Sequence, residues 1–169
     1  MYKLFIKKLL ASLALASVIS TPALAAKIDL EQEIHISAGR QAGDLKNKIA
    51  SYLDDVVISQ GSLKIKADLV QVFSQKDQDV QTYVAKGQPA TFEQLLEDGS
   101  KIRLQANEIK YEPLTFTITI SGNALLTQAG SEVSGEKIVY NTLTEQLEAE
   151  GGSNQSVTTI LKPKAKSDK

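Results

Sequence analysis

The chain has 169 residues, enough for one domain once any leader is set aside, with 42% apolar side chains and a formal net charge of −1. Lysine and arginine (19) nearly balance aspartate and glutamate (20), so the chain lacks the basic excess that a nucleic-acid binder needs. Cysteine is absent, which excludes a disulfide scaffold and leaves burial and backbone pairing to hold the fold.

Residues 1–25 read as an export leader. Lys3, Lys7 and Lys8 form a positive stretch, Leu9 to Ile19 an apolar one, and Ala23-Leu24-Ala25 a small-x-small cleavage site, so cleavage is expected after Ala25. A retained anchor helix is the alternative. The apolar run falls short of the roughly 20 residues that a membrane span requires, and it ends in Thr21-Pro22. Loss of the three lysines takes the net charge from −1 to −4. The remainder is expected to form one exported domain over residues 26–161, followed by a charged, disordered tail over 162–169.

Ala26 to Glu33 carries little pattern and predicts a mobile arm. Ile34-His35-Ile36 alternates as a short strand, Ser37 to Asp44 reads as turn around Gly39 and Gly43, and Leu45 to Asp55 reads as a strand leading into a more regular region. Val56 to Gln60 forms an apolar strand, Gln60-Gly61 turns it, and Leu63, Ile65 and Ala67 then share one phase. Val70 and Val72 fall in the opposite phase, so the chain must bend or bulge at Asp68 if both sets are to face one side. Ser74 to Asp79 predicts a polar surface loop, Val80 to Ala85 a strand, and Lys86-Gly87-Gln88-Pro89 a turn. Thr115 to Ile120 is the plainest strand, with Phe116, Ile118 and Ile120 on one face and three threonines on the other. After Tyr140, Leu143, Leu147 and Ala149 supply a last strand pair, Gly151 to Ser156 a flexible link, and Val157 to Leu161 a terminal strand.

The bent hairpin recurs. A shift of about 68 residues lays Asn123 to Gln128 over Asp55 to Gln60, and Val133, Gly135, Glu136, Ile138 and Tyr140 over Ile65, Ala67, Asp68, Val70 and Val72. A third copy lies between them, from Pro89 to Gln94 and then through Ile102, Leu104, Ala106, Asn107, Ile109 and Tyr111. Each copy has a small residue followed by Asp, Asn or Glu, then two apolar residues two apart. Strands of five to seven residues joined by corners predict an all-β, antiparallel fold of bent hairpins stacked along one axis, apolar inside, with two unpaired end strands.

Val57-Ile58-Ser59-Gln60-Gly61 with Ile65-Lys66-Ala67-Asp68, Gly87-Gln88-Pro89-Ala90-Thr91-Phe92, Gly122-Asn123-Ala124-Leu125-Leu126, Gly135-Glu136-Lys137-Ile138-Val139-Tyr140 and Val157-Thr158-Thr159-Ile160-Leu161 form an ordered set. That set resembles the LptA (OstA-like) family of periplasmic lipopolysaccharide-transport proteins. The resemblance implies a twisted, open β-jellyroll whose apolar groove carries the lipid A part of lipopolysaccharide. It also implies end-strand joining to an inner-membrane LptC-like partner, to an outer-membrane LptD-like receptor and, head to tail, to further copies of the chain. About eight rungs at roughly 4.8 Å would span about 40 Å.

On this reading the groove is lined by Ile34, Ile36, Ile58, Phe92, Leu104, Tyr111, Ile118, Leu126 and Tyr140, with Ile34, Ile36 and Phe92 toward an N-terminal mouth. Plain core is the alternative for each. The joining edges are Ile34, His35 and Ile36 at one end and Val157, Thr159 and Leu161 at the other. His35, the sole histidine, sits between apolar residues and reads as a solvent-facing strand residue, not a ligand or base. Asp54-Asp55 and Asp77 with Asp79 lack calcium-loop spacing and read as solvated turns. No catalytic constellation, metal site, cofactor motif or nucleotide-binding loop is present in the sequence, so any energy for transport must come from a partner. The competing functions are a periplasmic polysaccharide-binding module, which the absence of tryptophan argues against, and a structural scaffold that polymerises by its edges without carrying lipid.

Overall fold

The computed structural model describes residue 29 and residues 31–74, 81–96, 98–153 and 156–162; the expected leader, most of the expected Ser74 to Asp79 loop and the expected tail beyond Lys162 lie outside the described residues. Among the described residues ten strands form one sheet: β1 (His35–Ser37), β2 (Arg40–Asp44), β3 (Ile49–Gln60), β4 (Leu63–Ser74), β5 (Gln81–Leu95), β6 (Lys101–Glu112), β7 (Thr117–Gln128), β8 (Ser131–Asn141), β9 (Leu147–Glu150) and β10 (Thr158–Ile160). All pairings are antiparallel, in the order β1-β3-β4-β5-β6-β7-β8-β10. β2 also pairs β3, and β9 also pairs β8, so each end rung is one strand broken in two. Eight rungs result among the described residues.

The six middle strands are not the short segments expected from the hydropathy pattern. Each runs 11 to 15 residues and bends in its middle. The bends share one line across the sheet, marked by register shifts between Leu53 and Val56, Lys66 and Leu69, Lys86 and Ala90, Gln105 and Glu108, and Ser121 and Ala124. A bulge inserts residues on one strand without a partner and turns it, which allows the side-chain phase to reverse while the apolar face stays the same. The change of phase at Ala67-Asp68 therefore marks the crease. Asp54, Asp55 and Asn123 adopt positive φ there, as does Gly122 (φ 75), where an added Cβ would stand 3.1 Å from that of Asn107. Asp and Asn tolerate this region better than other side chains.

The crease divides the sheet into two walls. On the first, the inward position beside the crease carries Val56, Ala67, Ala90, Ala106, Ala124 and Gly135 on successive rungs, all buried. Side chains must be small where the walls meet. One row farther out, an apolar line crosses the whole sheet: Ile36, Ile58, Ile65, Phe92, Leu104, Leu126 and Val133, ending at Thr159. The second wall answers with Ala50, Val72, Tyr83, Tyr111, Ile118, Tyr140 and Leu147. Outside, Glu93 pairs with Arg103 at 3.0 Å, Lys86 with Glu108 at 3.2 Å and Lys137 with Glu150 at 3.0 Å, linking neighbouring rungs through solvent-exposed charges.

Three local expectations are corrected. The Ser37 to Asp44 stretch is not all turn, because Arg40–Asp44 pairs with Ile49 to Leu53 as the second half of the first rung. Part of the N-terminal arm is docked: Asp29 is buried over the Gly61 turn, where its carboxylate accepts from the Ser62 hydroxyl. Phe116 does not face inward with Ile118 and Ile120; it ends a 3-10 turn at Pro113–Thr115 with φ 54, and β7 begins only at Thr117. Pro113 starts that turn and shifts the strand's beginning by two residues.

Candidate lipid-binding groove and joining edges

The expected groove residues fall into three groups. Ile58, Phe92, Leu104, Tyr111 and Ile118 are fully buried between the walls in the middle of the stack. Ile34 and Ile36 are half-buried at the N-terminal end and pack against this core. Leu126 and Tyr140 lie toward the C-terminal end and line a cavity of about 350 Å³ between the walls, together with Ile102, Val133, Leu147 and Leu161. The interior is thus packed through its centre and open near β8.

A direct bond ties the two walls at the packed part. The Tyr111 hydroxyl donates to Gln60 Oε1 at 2.9 Å, and Gln60 Nε2 donates to the Gln32 carbonyl at 3.1 Å. The rings of Tyr111 and Tyr83 lie 5.9 Å apart on neighbouring rungs. Burial pushes the Tyr111 hydroxyl above the ordinary phenol range, and Tyr83 adds to the shift. It remains a proton donor wherever the protein is folded at neutral pH.

A polar stripe went unnoticed in the sequence. Gln60, Gln94 and Gln128 recur at one interval at or beside the last residue of β3, β5 and β7. Gln60 and Gln94 are buried, and Gln128 lines the C-terminal cavity. The signal was the same spacing that revealed the three hairpins, but hydropathy reading follows apolar positions and passes over amides. Among the described residues nothing bonds either amide atom of buried Gln94 or the buried Tyr140 hydroxyl. Such groups cost on the order of 1–3 kcal/mol each unless something bonds them.

At the two ends the strands face outward. His35 is exposed with Glu33 at 3.8 Å, matching the solvent-facing reading of that position. At the other end Thr159, Ile160 and Leu161 are exposed, and Val157 precedes the strand proper. Among the described residues no strand pairs with the outer side of β1, β2, β9 or β10. Of the acidic pairs in the sequence, Asp54 bonds Arg40, which holds its carboxyl below the usual carboxylate range, and Asp77 and Asp79 lie outside the described residues. No group of His, Cys, Asp and Glu among the described residues is arranged to hold a metal ion.

The family described as LptA/(LptD N-terminal domain) LPS transport protein matches residues 35–146, which is most of the chain and nearly all of the creased sheet. The chain belongs to that family. It is a family of transport proteins, not enzymes. The chain is 33% identical over 168 residues to the lipopolysaccharide export system protein LptA of Escherichia coli K12, covering 99% of this chain and 90% of that protein. It is 36% identical over 156 residues to LptA of Haemophilus influenzae, covering 91% and 89% of the two chains. The crystal structure of LptH from Pseudomonas aeruginosa, described as the LptA-homologous periplasmic component of the lipopolysaccharide transport device, superposes with a TM-score of 0.74 at 26% identity. That match covers 80% of this chain and 99% of that one. The resemblance seen in the sequence is thereby confirmed at the level of family and fold.

Proposed function

We propose that this chain is a periplasmic lipopolysaccharide-transport protein that shelters lipid A acyl chains between its two walls and bridges the membranes by end-to-end strand pairing. The observation that carries this reading is the apolar line running unbroken through successive rungs, from Ile36 to Val133, between two unpaired edges. Each methylene held in water costs about 0.8 kcal/mol relative to an apolar site, so a lipid with several chains needs a continuous apolar path across an aqueous compartment.

The walls are joined by backbone only at the crease. Parting them breaks side-chain packing and the Tyr111–Gln60 bond but no ladder hydrogen bond, so Ile58, Phe92, Leu104, Tyr111 and Ile118 can become groove surface when a lipid enters. Ile34 and Ile36 line the N-terminal mouth, and Leu126 and Tyr140 the C-terminal one. His35 with its neighbours at one end, and Val157, Thr159 and Leu161 at the other, pair with the LptC-like partner, the LptD-like receptor or another copy of the chain. The acidic net charge leaves the acyl part, not the phosphates, to dominate recognition.

Purified mature protein is expected to bind lipopolysaccharide directly, and a photoreactive residue at Ile36 to give an adduct. A chain that assembles end to end without binding the lipid would be a scaffold, and the transport reading would fail. Deleting residues 157–169 is expected to give a monomer in sizing chromatography; an unchanged concentration-dependent oligomer would rule out pairing through that edge.

A further inference from the structure

The seam between the two walls is shut at one end of the stack and open at the other. Gln60 ends β3 and Tyr111 is one residue from the end of β6, so the bond between them spans the seam near its free margin. In this N-terminal half Gln60, Leu63, Gln94 and Leu96, all at strand ends of the first wall, are each 5% exposed or less. Gln128 and Ser131, the strand ends farther along, are half-buried and line the cavity.

The segment seated on the closed half is the N-terminal arm. Asp29 is buried against the Gly61 turn, its carboxylate accepts from the Ser62 hydroxyl, and Ser62 Oγ accepts in turn from the Leu95 N–H at 3.1 Å. The Gln32 N–H donates to the Asp29 carbonyl at 3.1 Å, which turns the arm back toward Gln60. There the Gln32 carbonyl accepts from Gln60 Nε2 at 3.1 Å, while Oε1 of the same amide accepts from Tyr111. Gly61 must be bare for this seat. Its φ is 57, and an added Cβ would stand 2.9 Å from the Asp29 Cα, a backbone atom that yields only if the arm moves.

We propose that the arm segment anchored by Asp29 and Gln32 is a strap that keeps the N-terminal half of the seam shut, and that lipid enters there only after the strap has lifted off the Gly61 turn; this rests on the transport reading for the nature of the ligand. The hold suits a strap. Glu31, Gln32 and Glu33 are exposed, and the chain enters the sheet only at His35, so lifting the arm breaks side-chain bonds and no strand pairing. Such a segment opens at far lower cost than the sheet beneath it. Strap and seam also support each other. One amide serves both, so lifting the arm removes the Gln32 acceptor that helps to orient Gln60 toward Tyr111, and parting the walls removes the Tyr111 donor.

The chain has no cysteine, so Asp29→Cys combined with Ser62→Cys places a single reversible lock between strap and turn in the full mature protein. Uptake of fluorescently labelled lipopolysaccharide is followed by stopped flow on the wild type, on the double variant oxidised and reduced, and on Ser62→Ala, with circular dichroism to check that each is folded. The oxidised form is expected to take up lipid roughly tenfold or more slowly than its reduced form, because local lifting is blocked. Ser62→Ala and the reduced form should exceed the wild-type rate by roughly three- to tenfold, the range that one hydrogen bond supplies. Failure of the bridge to form in a folded chain would show that the arm is not seated on the turn. Equal rates for the oxidised and reduced forms would mean that lipid enters elsewhere, and either result overturns the strap while lipopolysaccharide binding, and with it the transport reading, stands. Absence of binding by every form, wild type included, would instead bring down the transport reading and leave the strap nothing to gate.

Discussion

Phe92→Ala measures how solid the middle of the trough is. Phe92 has no exposed surface and lies between Ile65 and Leu104 on the central line of the first wall. A phenylalanine of this kind buries roughly 150–250 Å², and truncation to alanine leaves a cavity whose cost adds to the lost transfer energy, for about 3–5 kcal/mol in all. Against a total stability of about 5–15 kcal/mol, that is a large fraction. With a urea slope of about 2 kcal/mol per molar, the unfolding midpoint is expected to fall by about 2 M with the slope unchanged. The assay is equilibrium urea unfolding followed by far-ultraviolet circular dichroism on lipid-free protein. A shift below about 0.5 M would show that Phe92 lines an already open channel and that the lipid-free trough is not packed at its centre.

The crease gives a paired comparison. Gly122→Ala, at φ 75 and tight against Asn107, is expected to lower stability by about 1–2 kcal/mol, whereas Gly43→Ala, with nothing within 4 Å of the added methyl, should be neutral or slightly stabilising in the same urea assay. Equal effects would mean that the bend at Gly122 is not enforced. In alkali, Tyr111 and Tyr140 have hydroxyls raised above their unfolded value, so the stability they contribute is complete below about pH 10 and is lost as pH rises further. Tyr111→Phe should weaken the alkaline dependence of the thermal midpoint, and an identical profile would count against buried phenols as its cause. In acid, Asp44, Asp54 and Asp98 are lowered by hydrogen bonds from Asn47, Arg40 and Ser100, respectively. Their contribution is present above about pH 4 and fades below it, and because all three are solvent-exposed the change should be slight. A sharp cooperative acid transition above pH 5 would contradict that.

The creased architecture was legible because the apolar pattern changes phase at a small residue followed by Asp, Asn or Glu, and does so in three hairpins. Strand length was not legible. Hydropathy sees the break at Asp68 as an end, whereas the backbone carries its pairing through the bulge, so Leu63 to Ser74 is one strand. Arg40–Asp44 was missed because a two-faced exposed edge strand has no apolar alternation to reveal it. Phe116 misled through its place in the alternating run, since a turn starting at Pro113 outweighs phase. The inward set was readable from Ile58 through Tyr140, but which part of it is packed and which part open depends on how the walls meet. Tyr111 finds Gln60 across the interior, from fifty-one positions earlier in the chain, whereas Tyr140 finds nothing. No local pattern encodes that difference.

The column of one valine, four alanines and one glycine along the fold line fixes the geometry of the space between the walls. With no side chain larger than valine at the spine, the cross-section is a wedge: pinched at its root, and able to widen only at the lips. Cargo of different girth can therefore be admitted by changing the angle between the two leaves, while the spine keeps its spacing from one molecule's end to the other. A ligand with many tails and one with few would ride at different depths on the same rail.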